Sequence, residues 1–169
     1  MELAVGTGFI IGGAIVTALT CGTGTTAWAA FGSALLTSAI QTTGAVATGV
    51  VMNGVGNLLN NKGFFDDVGN TIASSYMLGG ILSGGSQMVS GGLRWIRKVY
   101  DFRGFNFGKL RLLSPDKLYF DHPGATLFKY KGFSLDAGRY GLHFHTAITG
   151  GYHVPAIPFI VGLYEFIDD

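Results

Sequence analysis

No charged side chain occurs between Leu3 and Asn61, a stretch dominated by Gly, Ala, Thr, Val and Leu. Charged residues make up about a quarter of an ordinary soluble domain, whereas only 12% of this 169-residue chain is charged. A helix without a charged face does not present an ordinary solvated surface. The stretch is therefore expected either to enter a lipid bilayer as a membrane-active or translocation segment, or to pack against the rest of the chain or inside a larger carrier.

Three glycine-rich helical segments are predicted in the first half of the chain. The first is just long enough to approach a bilayer span of about 17–25 residues, and its Gly8 and Gly12 form a small-xxx-small pair that favours close helix packing. The second carries a polar but uncharged face at Ser33, Thr37 and Gln41. The segments are residues 3–19, 27–40 with a continuation to 59, and 68–88, the last interrupted by glycine pairs at 79–80 and 84–85.

The composition changes near Leu93. Ten basic and four acidic residues lie between Leu93 and Arg139, so this part of the chain attracts polyanions. From residue 104 the period of the apolar residues becomes two, and turn signals occur at 114–117 and 121–124. The sequence therefore predicts an α+β chain with a small antiparallel sheet of four or five strands. Its predicted parts are a glycine-rich helical segment at 1–92, a basic joint at 93–103 and a β-rich domain at 104–169.

Two histidines lie two positions apart in a predicted strand over residues 140–148. Because side chains alternate along a strand, His143 and His145 share one face while Leu142 and Phe144 face a core. Two imidazoles so placed form an acid/base pair for phosphodiester hydrolysis, provided that a cation stabilises the developing charge. The predicted catalytic residues are His143, His145, Lys131 and Arg139, and the predicted substrate-binding residues are Lys129, Tyr130, Tyr140 and His153, with the tyrosines stacking on bases.

A metal-dependent hydrolase is the alternative use of the same histidines. Three imidazoles are available when His153 is added to His143 and His145. The His-x-His spacing on a strand is a known arrangement of metal ligands. The acid/base mechanism, in contrast, needs no cofactor. The chain contains neither a glycine-rich phosphate loop with its lysine nor a Gly-x-Ser-x-Gly motif, so the histidines carry the predicted chemistry. Further ligand candidates are His122, Asp121 and Asp136.

The layout resembles the C-terminal toxin tail of a bacterial polymorphic toxin of the Rhs/YD-repeat type. In such tails a Gly/Ala/Thr-rich helical lead precedes a compact toxin domain, and the run from Gly141 to His145 resembles a Gly-Leu-His-x-His run found in some of them. The resemblance implies delivery into a competing cell, a cognate immunity protein and a larger carrier polypeptide upstream. The aspartate-proline-glycine signature that closes the Rhs core does not occur in this chain.

Two hypotheses from different classes follow. In the first, the chain is a secreted interbacterial toxin module, a nuclease that hydrolyses nucleic acid at the histidine strand. In the second, residues 1–92 are a membrane-inserting effector and the sheet is a cap. The start of the chain carries Glu2 and no basic region, so a secretory signal is not expected and the carrier would deliver the module.

Overall fold

The computed structural model describes residues 1–115, 124–138, 140–148 and 152–168. Within these ranges the chain forms four helices and a six-stranded antiparallel sheet, which confirms the predicted α+β class. The sheet has more strands than the four or five predicted, because a short strand is added at each of its two edges. The helices are α1 (Glu2–Cys21), α2 (Thr25–Leu59), α3 (Val68–Tyr100) and α4 (Ala156–Asp168), and the strands are β1 (Phe105–Phe107), β2 (Leu110–Pro115), β3 (Ala125–Tyr130), β4 (Phe133–Gly138), β5 (Gly141–His145) and β6 (Val154–Pro155).

Helix α3 is longer and more regular than its sequence predicts. It runs for 33 residues without a break at its glycine pairs, and it includes most of the predicted basic joint. Each glycine in a helix interior costs about 1 kcal/mol relative to alanine, so local propensity favours interruption. Packing of Gly80 and Gly84 against α1 and of Gly79 against α2 compensates for that cost, and the predicted interruption is wrong for this reason.

Helices α1 and α3 touch through their backbones. A Cβ atom on Gly13 would lie 2.6 Å from the carbonyl oxygen of Gly84, and one on Gly80 would lie 2.6 Å from the carbonyl oxygen of Gly6. No side chain fits between the helices at these points, so glycine is required there. Small residues allow this kind of approach in helix pairs that pack by van der Waals contact.

The predicted packing pair in α1 is not the one that the fold uses. A Cβ atom on Gly8 would meet no other atom within 4 Å, and one on Gly12 would meet only the end of the Met88 side chain. Gly6 and Gly13, which are two helical turns apart, lie on the contacting face instead. Which face of α1 meets α3 depends on the partner helix and not on the spacing within α1.

The helical part of the protein is polar inside and apolar outside. Ser83 donates from Oγ to Ser38 Oγ at 2.8 Å, and the buried amide of Gln87 donates to Ser38 Oγ and to the Ala34 carbonyl, both at 2.9 Å. Large apolar side chains point outward. Those of α1 and α2 that are more than two fifths exposed are Leu3, Ile11, Ile15, Leu19, Trp28, Leu36, Ile40, Val51, Leu58 and Leu59.

The six strands follow one another across the sheet in chain order. Leu142 and Phe144 lie on the inner face and pack in the core with α4, as their alternation with the histidines predicts. Pro115, predicted to lie in a turn, is the last residue of β2, where its carbonyl accepts a hydrogen bond from Arg97 Nη1 at 3.0 Å. The buried core residues are Ala45, Ala137, Leu142, Ala156, Ile157 and Val161.

Candidate functional site

Strand β5 carries His143 and His145 on the face opposite Leu142 and Phe144, where His143 is buried, with 6% of its surface exposed, and His145 is half-buried. Their partners on β4 are Asp136 and Ser134, respectively, and directly opposed residues of an antiparallel pair share a face. The two imidazole centroids are 5.1 Å apart, which confirms that both rings point to the same side. His153 comes from the segment before β6, and its ring lies 4.6 Å from each of the other two.

The three imidazoles form a cluster that can hold a metal ion. One ring nitrogen from each of His143, His145 and His153 lies within 4.8 Å of the other two. In a tetrahedral zinc site with Zn–N distances of about 2.1 Å, the ligand nitrogens lie about 3.4 Å apart. The separations of at most 4.8 Å exceed that distance by at most about 1.4 Å, so the three rings would approach one another when they bind an ion.

Neighbouring groups orient two of the rings. The Nδ1 atom of His143 lies 2.8 Å from the Gly141 carbonyl oxygen, which can only accept, so Nδ1 carries the proton and Nε2 keeps its lone pair. Metal-binding histidines are commonly fixed in this way by a backbone carbonyl. The ring of Tyr140 stacks on His153 with centroids 4.2 Å apart. The cluster is thus partly organised before any ligand binds.

Asp136 adds a carboxylate to the cluster. Its Oδ2 atom lies 3.5 Å from His145 Nε2 and accepts a hydrogen bond from Ser134 Oγ at 3.0 Å. Its Oδ1 atom is buried and has no hydrogen-bond partner among the described residues. A buried carboxylate oxygen without a partner is costly, so this atom is placed to accept from a bound water or to contact a cation.

Burial favours the neutral form of two of the three imidazoles, those of His143 and His153. Burial lowers the pKa of His143 below its ordinary value of 6.5, and the charges of His153 and His145 lower it further, whereas the Gly141 hydrogen bond and Asp136 raise it. The pKa of His153 is also lowered, first by burial and then by His145, against the opposing charge of Asp136. Neutral imidazole is the form that binds metals.

Gln41 of α2 fixes the backbone at the start of β5. Its Nε2 atom donates to the Tyr140 carbonyl at 2.6 Å and to the Leu142 carbonyl at 3.4 Å, and its Oε1 atom accepts from the Leu142 amide at 3.3 Å. Gly141 between them has φ of 71°, and a Cβ atom there would collide with the Gln41 amide. The helical part of the chain therefore helps to build the histidine site.

The role of Gln41 was not predicted from the sequence. Its only signal there was membership of a polar, uncharged face in a helix without charges. In the structure, Gln41 is buried, with 5% of its surface exposed, although the other two residues of that face are half-buried. A long polar side chain in an apolar helix indicates a buried hydrogen-bonding partner, but it does not identify which partner.

A cavity of about 380 Å³ lies between α2 and the cluster. Two of the three clustered histidines, His143 and His153, form part of its wall. The rest of the wall is mainly apolar and comes from α2, from Tyr140 before β5, from Pro155 of β6 and from Pro158 of α4. The lining residues are Thr37, Ile40, Gln41, Gly44, Tyr140, His143, His153, Pro155 and Pro158.

The two predicted lysines occupy different places relative to the histidine cluster. Lys129 pairs with Ser134, which pairs with His145, so Lys129 lies on the same face two strands away. Lys131 lies in the β3–β4 turn, with its ammonium 5.4 Å from the centroid of the Tyr130 ring. Tyr130 is adjacent to Lys129 in β3 and therefore faces the opposite side of the sheet. The predicted residues Arg139, His122 and Asp121 lie outside the described residues.

Comparison with known proteins identifies no relative. No protein-family model, no curated protein and no solved structure matches the chain. The toxin-tail resemblance therefore stays a prediction from the layout of the sequence.

Proposed function

We propose that the chain is a toxin module whose histidine cluster binds a divalent metal ion and hydrolyses phosphodiester bonds in nucleic acid. The observation that carries this proposal is the placement of three imidazole nitrogens within 4.8 Å of one another, beside an unpaired carboxylate oxygen of Asp136. Three protein ligands with a remaining position for water or substrate are typical of catalytic zinc sites.

The metal mechanism fits this environment better than the metal-free acid/base pair. An acid/base pair needs one imidazolium to protonate the leaving oxygen. Burial disfavours the charged form of His143 and of His153. The charged side chain that lies nearest to the cluster among the described residues is also the carboxylate of Asp136, which cannot stabilise a developing negative charge. A metal ion supplies that positive charge.

Each group in the site has a distinct task under this proposal. A zinc ion bound there would supply a water with a pKa of about 7 and a positive charge beside the phosphate. The three imidazoles hold the ion, and the hydrogen bond to Gly141 keeps the His143 Nε2 lone pair available. The free oxygen of Asp136 is placed to hold a proton of the attacking water.

A row of side chains supports nucleic acid as the substrate. Cross-strand pairing aligns Arg111, Lys129, Ser134 and His145 on the outer face, one residue from each of β2 to β5. Neighbouring strands are about 4.8 Å apart, so the two exposed cations lie about 10 and 14 Å from β5, where they can contact phosphates beyond the scissile one. Phosphate contacts of this kind position a chain without reading its sequence.

The toxin assignment rests on the resemblance stated for the sequence. It includes delivery into a target cell by a larger carrier, and a cognate immunity protein that blocks the site in the producing cell. An uncharged helical lead followed by a site with hydrolytic groups supports this arrangement. A downstream neighbour that binds the chain and covers the histidine cluster would be the expected immunity protein.

Zinc binding and nuclease activity of the full chain test the proposal. Wild-type protein is expected to bind one zinc ion, to cleave RNA or single-stranded DNA, and to lose cleavage on treatment with a chelator. His145→Ala should lose both binding and cleavage, and Lys129→Ala should weaken only substrate binding. Lys109→Ala, an exposed lysine in the β1–β2 turn, is the matched control. Chelator-resistant cleavage would restore the acid/base mechanism.

A second candidate function is a membrane effector formed by residues 1–92. Two helices, α1 and α2, are long and apolar enough to cross a bilayer, with mean hydropathies of 1.9 and 1.3. Only 22% and 28% of their most apolar windows are buried, in contrast to the core helices of soluble proteins. Loss of membrane potential in cells that produce the folded His145→Ala variant would favour this candidate over hydrolysis.

A further inference from the structure

The cavity beside the histidine cluster is lined by residues from both halves of the chain. We propose that it holds the nucleoside next to the scissile phosphate, with the base against the wall formed by α2 and Tyr140. This inference rests on the proposed hydrolysis at the cluster and specifies its substrate further. It makes α2 part of the substrate-binding surface.

The position of the cavity links it to the chemistry. His143 and His153 belong both to the cavity wall and to the metal-binding cluster. A ligand in the cavity therefore lies within contact distance of the groups that would hold the ion. The volume of about 380 Å³ falls within the range of roughly 300–1,000 Å³ that small-molecule sites occupy, so the cavity has room for one nucleoside.

The chemistry of the wall favours a flat ring. Tyr140 is 55% exposed and already stacks on His153, so aromatic surface lines the cavity next to the cluster. Pro155 and Pro158 add rigid apolar surface. The amide of Gln41, the longest polar side chain in the wall, is engaged by the β5 backbone through both its nitrogen and its oxygen. The site therefore contacts the face of a base and does not read its edge, which predicts tolerance of base identity.

The arrangement of charge favours a nucleotide over a fatty acyl chain. The cavity adjoins the Gly141 end of β5, whereas Lys129 and Arg111 lie across the sheet from His145, at the other end of the strand. A base in the cavity thus places its phosphate at the cluster and the following phosphates along the two cations. A hydrocarbon chain would fill the apolar cavity but would leave this row of cations without a partner.

Ligand binding to the full chain in the presence of zinc provides the test. Adenosine 5′-monophosphate is expected to bind roughly tenfold or more tightly than ribose 5-phosphate, since one stacked base accounts for a difference of that size. Ile40→Trp should abolish the difference by filling the cavity. Leu36→Trp, one turn earlier on α2 and as exposed as Ile40, should retain it because Leu36 does not line the cavity.

A second pair of variants keeps the test decisive if the tryptophan variants fail to fold. Tyr140→Leu should abolish the preference for the base, and Tyr140→Phe should retain it. Equal binding of the two phosphates by wild-type protein would overturn the proposal, and so would a preference for the nucleotide that folded Tyr140→Leu leaves unchanged. Both results concern binding, so they are separate from a failure of zinc-dependent cleavage, which would overturn only the proposed hydrolysis.

Discussion

The helical part and the sheet of this protein use opposite rules for what they bury. Between α1, α2 and α3, the buried residues are mostly Gly, Ser, Thr, Asn and Gln, while Leu, Ile and Trp side chains point outward. Between the sheet and α4, the core is made of Ala, Leu, Ile and Val, and the outer face of the sheet carries polar and charged groups. The sheet follows the pattern of a soluble protein, and the helical part follows that of helices in lipid.

This difference means that different interactions stabilise the two regions. The sheet and α4 gain stability from apolar burial, which tolerates small changes of shape. The helices depend on backbone contact and on internal hydrogen bonds, including those that Glu165 of α4 accepts from Ser74 at 2.6 Å and Ser75 at 3.0 Å. Close contact leaves no room for a methyl group, and a broken internal hydrogen bond leaves a buried polar atom unpaired.

The largest effect should follow a methyl group added between α1 and α3. Gly84→Ala would place Cβ against the backbone of Phe9, so the helices must separate. We expect a loss of about 3 kcal/mol or more in the free energy of unfolding, at or beyond the upper end for overpacking. Gly85→Ala, where Cβ meets no other atom, should instead stabilise the helix by about 1 kcal/mol. Similar denaturation midpoints for the two variants would contradict close backbone packing.

The next largest effect concerns lipid. If the outer face of α1 and α2 contacts a bilayer, Ile11→Glu combined with Leu36→Glu should reduce vesicle binding by roughly a hundredfold or more, since each apolar side chain contributes about 1.5–3 kcal/mol. The matched control is Phe105→Glu with Phe107→Glu, which changes two exposed side chains of β1. Flotation with neutral vesicles measures the binding. A wild-type chain that stays lipid-free would exclude this role and favour a carrier cavity.

A smaller effect is expected where the two regions meet. Gln41→Leu leaves the Leu142 amide and the Tyr140 carbonyl without their partner from α2, which should cost about 1–3 kcal/mol. Zinc affinity should fall as well, because β5 loses its fixed start. Thr43→Ala, an exposed position on the same helix, serves as the control for both measurements. Unchanged zinc affinity in folded Gln41→Leu would show that the sheet organises the cluster alone.

The smallest effect is a pH dependence in metal-free protein. The pKa values of His143 and His153 are lowered in the folded state, so the unfolded chain binds more protons below 6.5, their ordinary value. Stability is therefore fully present well above pH 6.5 and falls as the pH drops through 6.5, until the histidines of the folded chain also take up protons. His143→Gln with His153→Gln should flatten the decline in melting temperature, while Asp136 and His145 remain. A melting temperature that rises on acidification would contradict the lowered pKa values.

Local pattern was enough to predict the fold class and part of the candidate site. The period of two around His143 fixes the faces of β5, because side chains alternate in any strand. The change from helical to strand period near residue 104 likewise lies in the local sequence. The sequence allowed His153 to be proposed as a third metal ligand beside His143 and His145. The position of its ring next to the other two depends on the tertiary structure.

The sequence by itself determined the absence of charge between Leu3 and Asn61, the order of helices and strands, and the shared face of His143 and His145. Only the tertiary structure decided that the helices turn their polar faces inward, that Gly6 and Gly13 form the close contact, and that Gln41 fixes β5. The physical reason is the separation along the chain over which each interaction acts. Periodicity acts between near neighbours in the chain, whereas the bond from Gln41 to Tyr140 joins residues 99 positions apart, and no local pattern specifies such a partner.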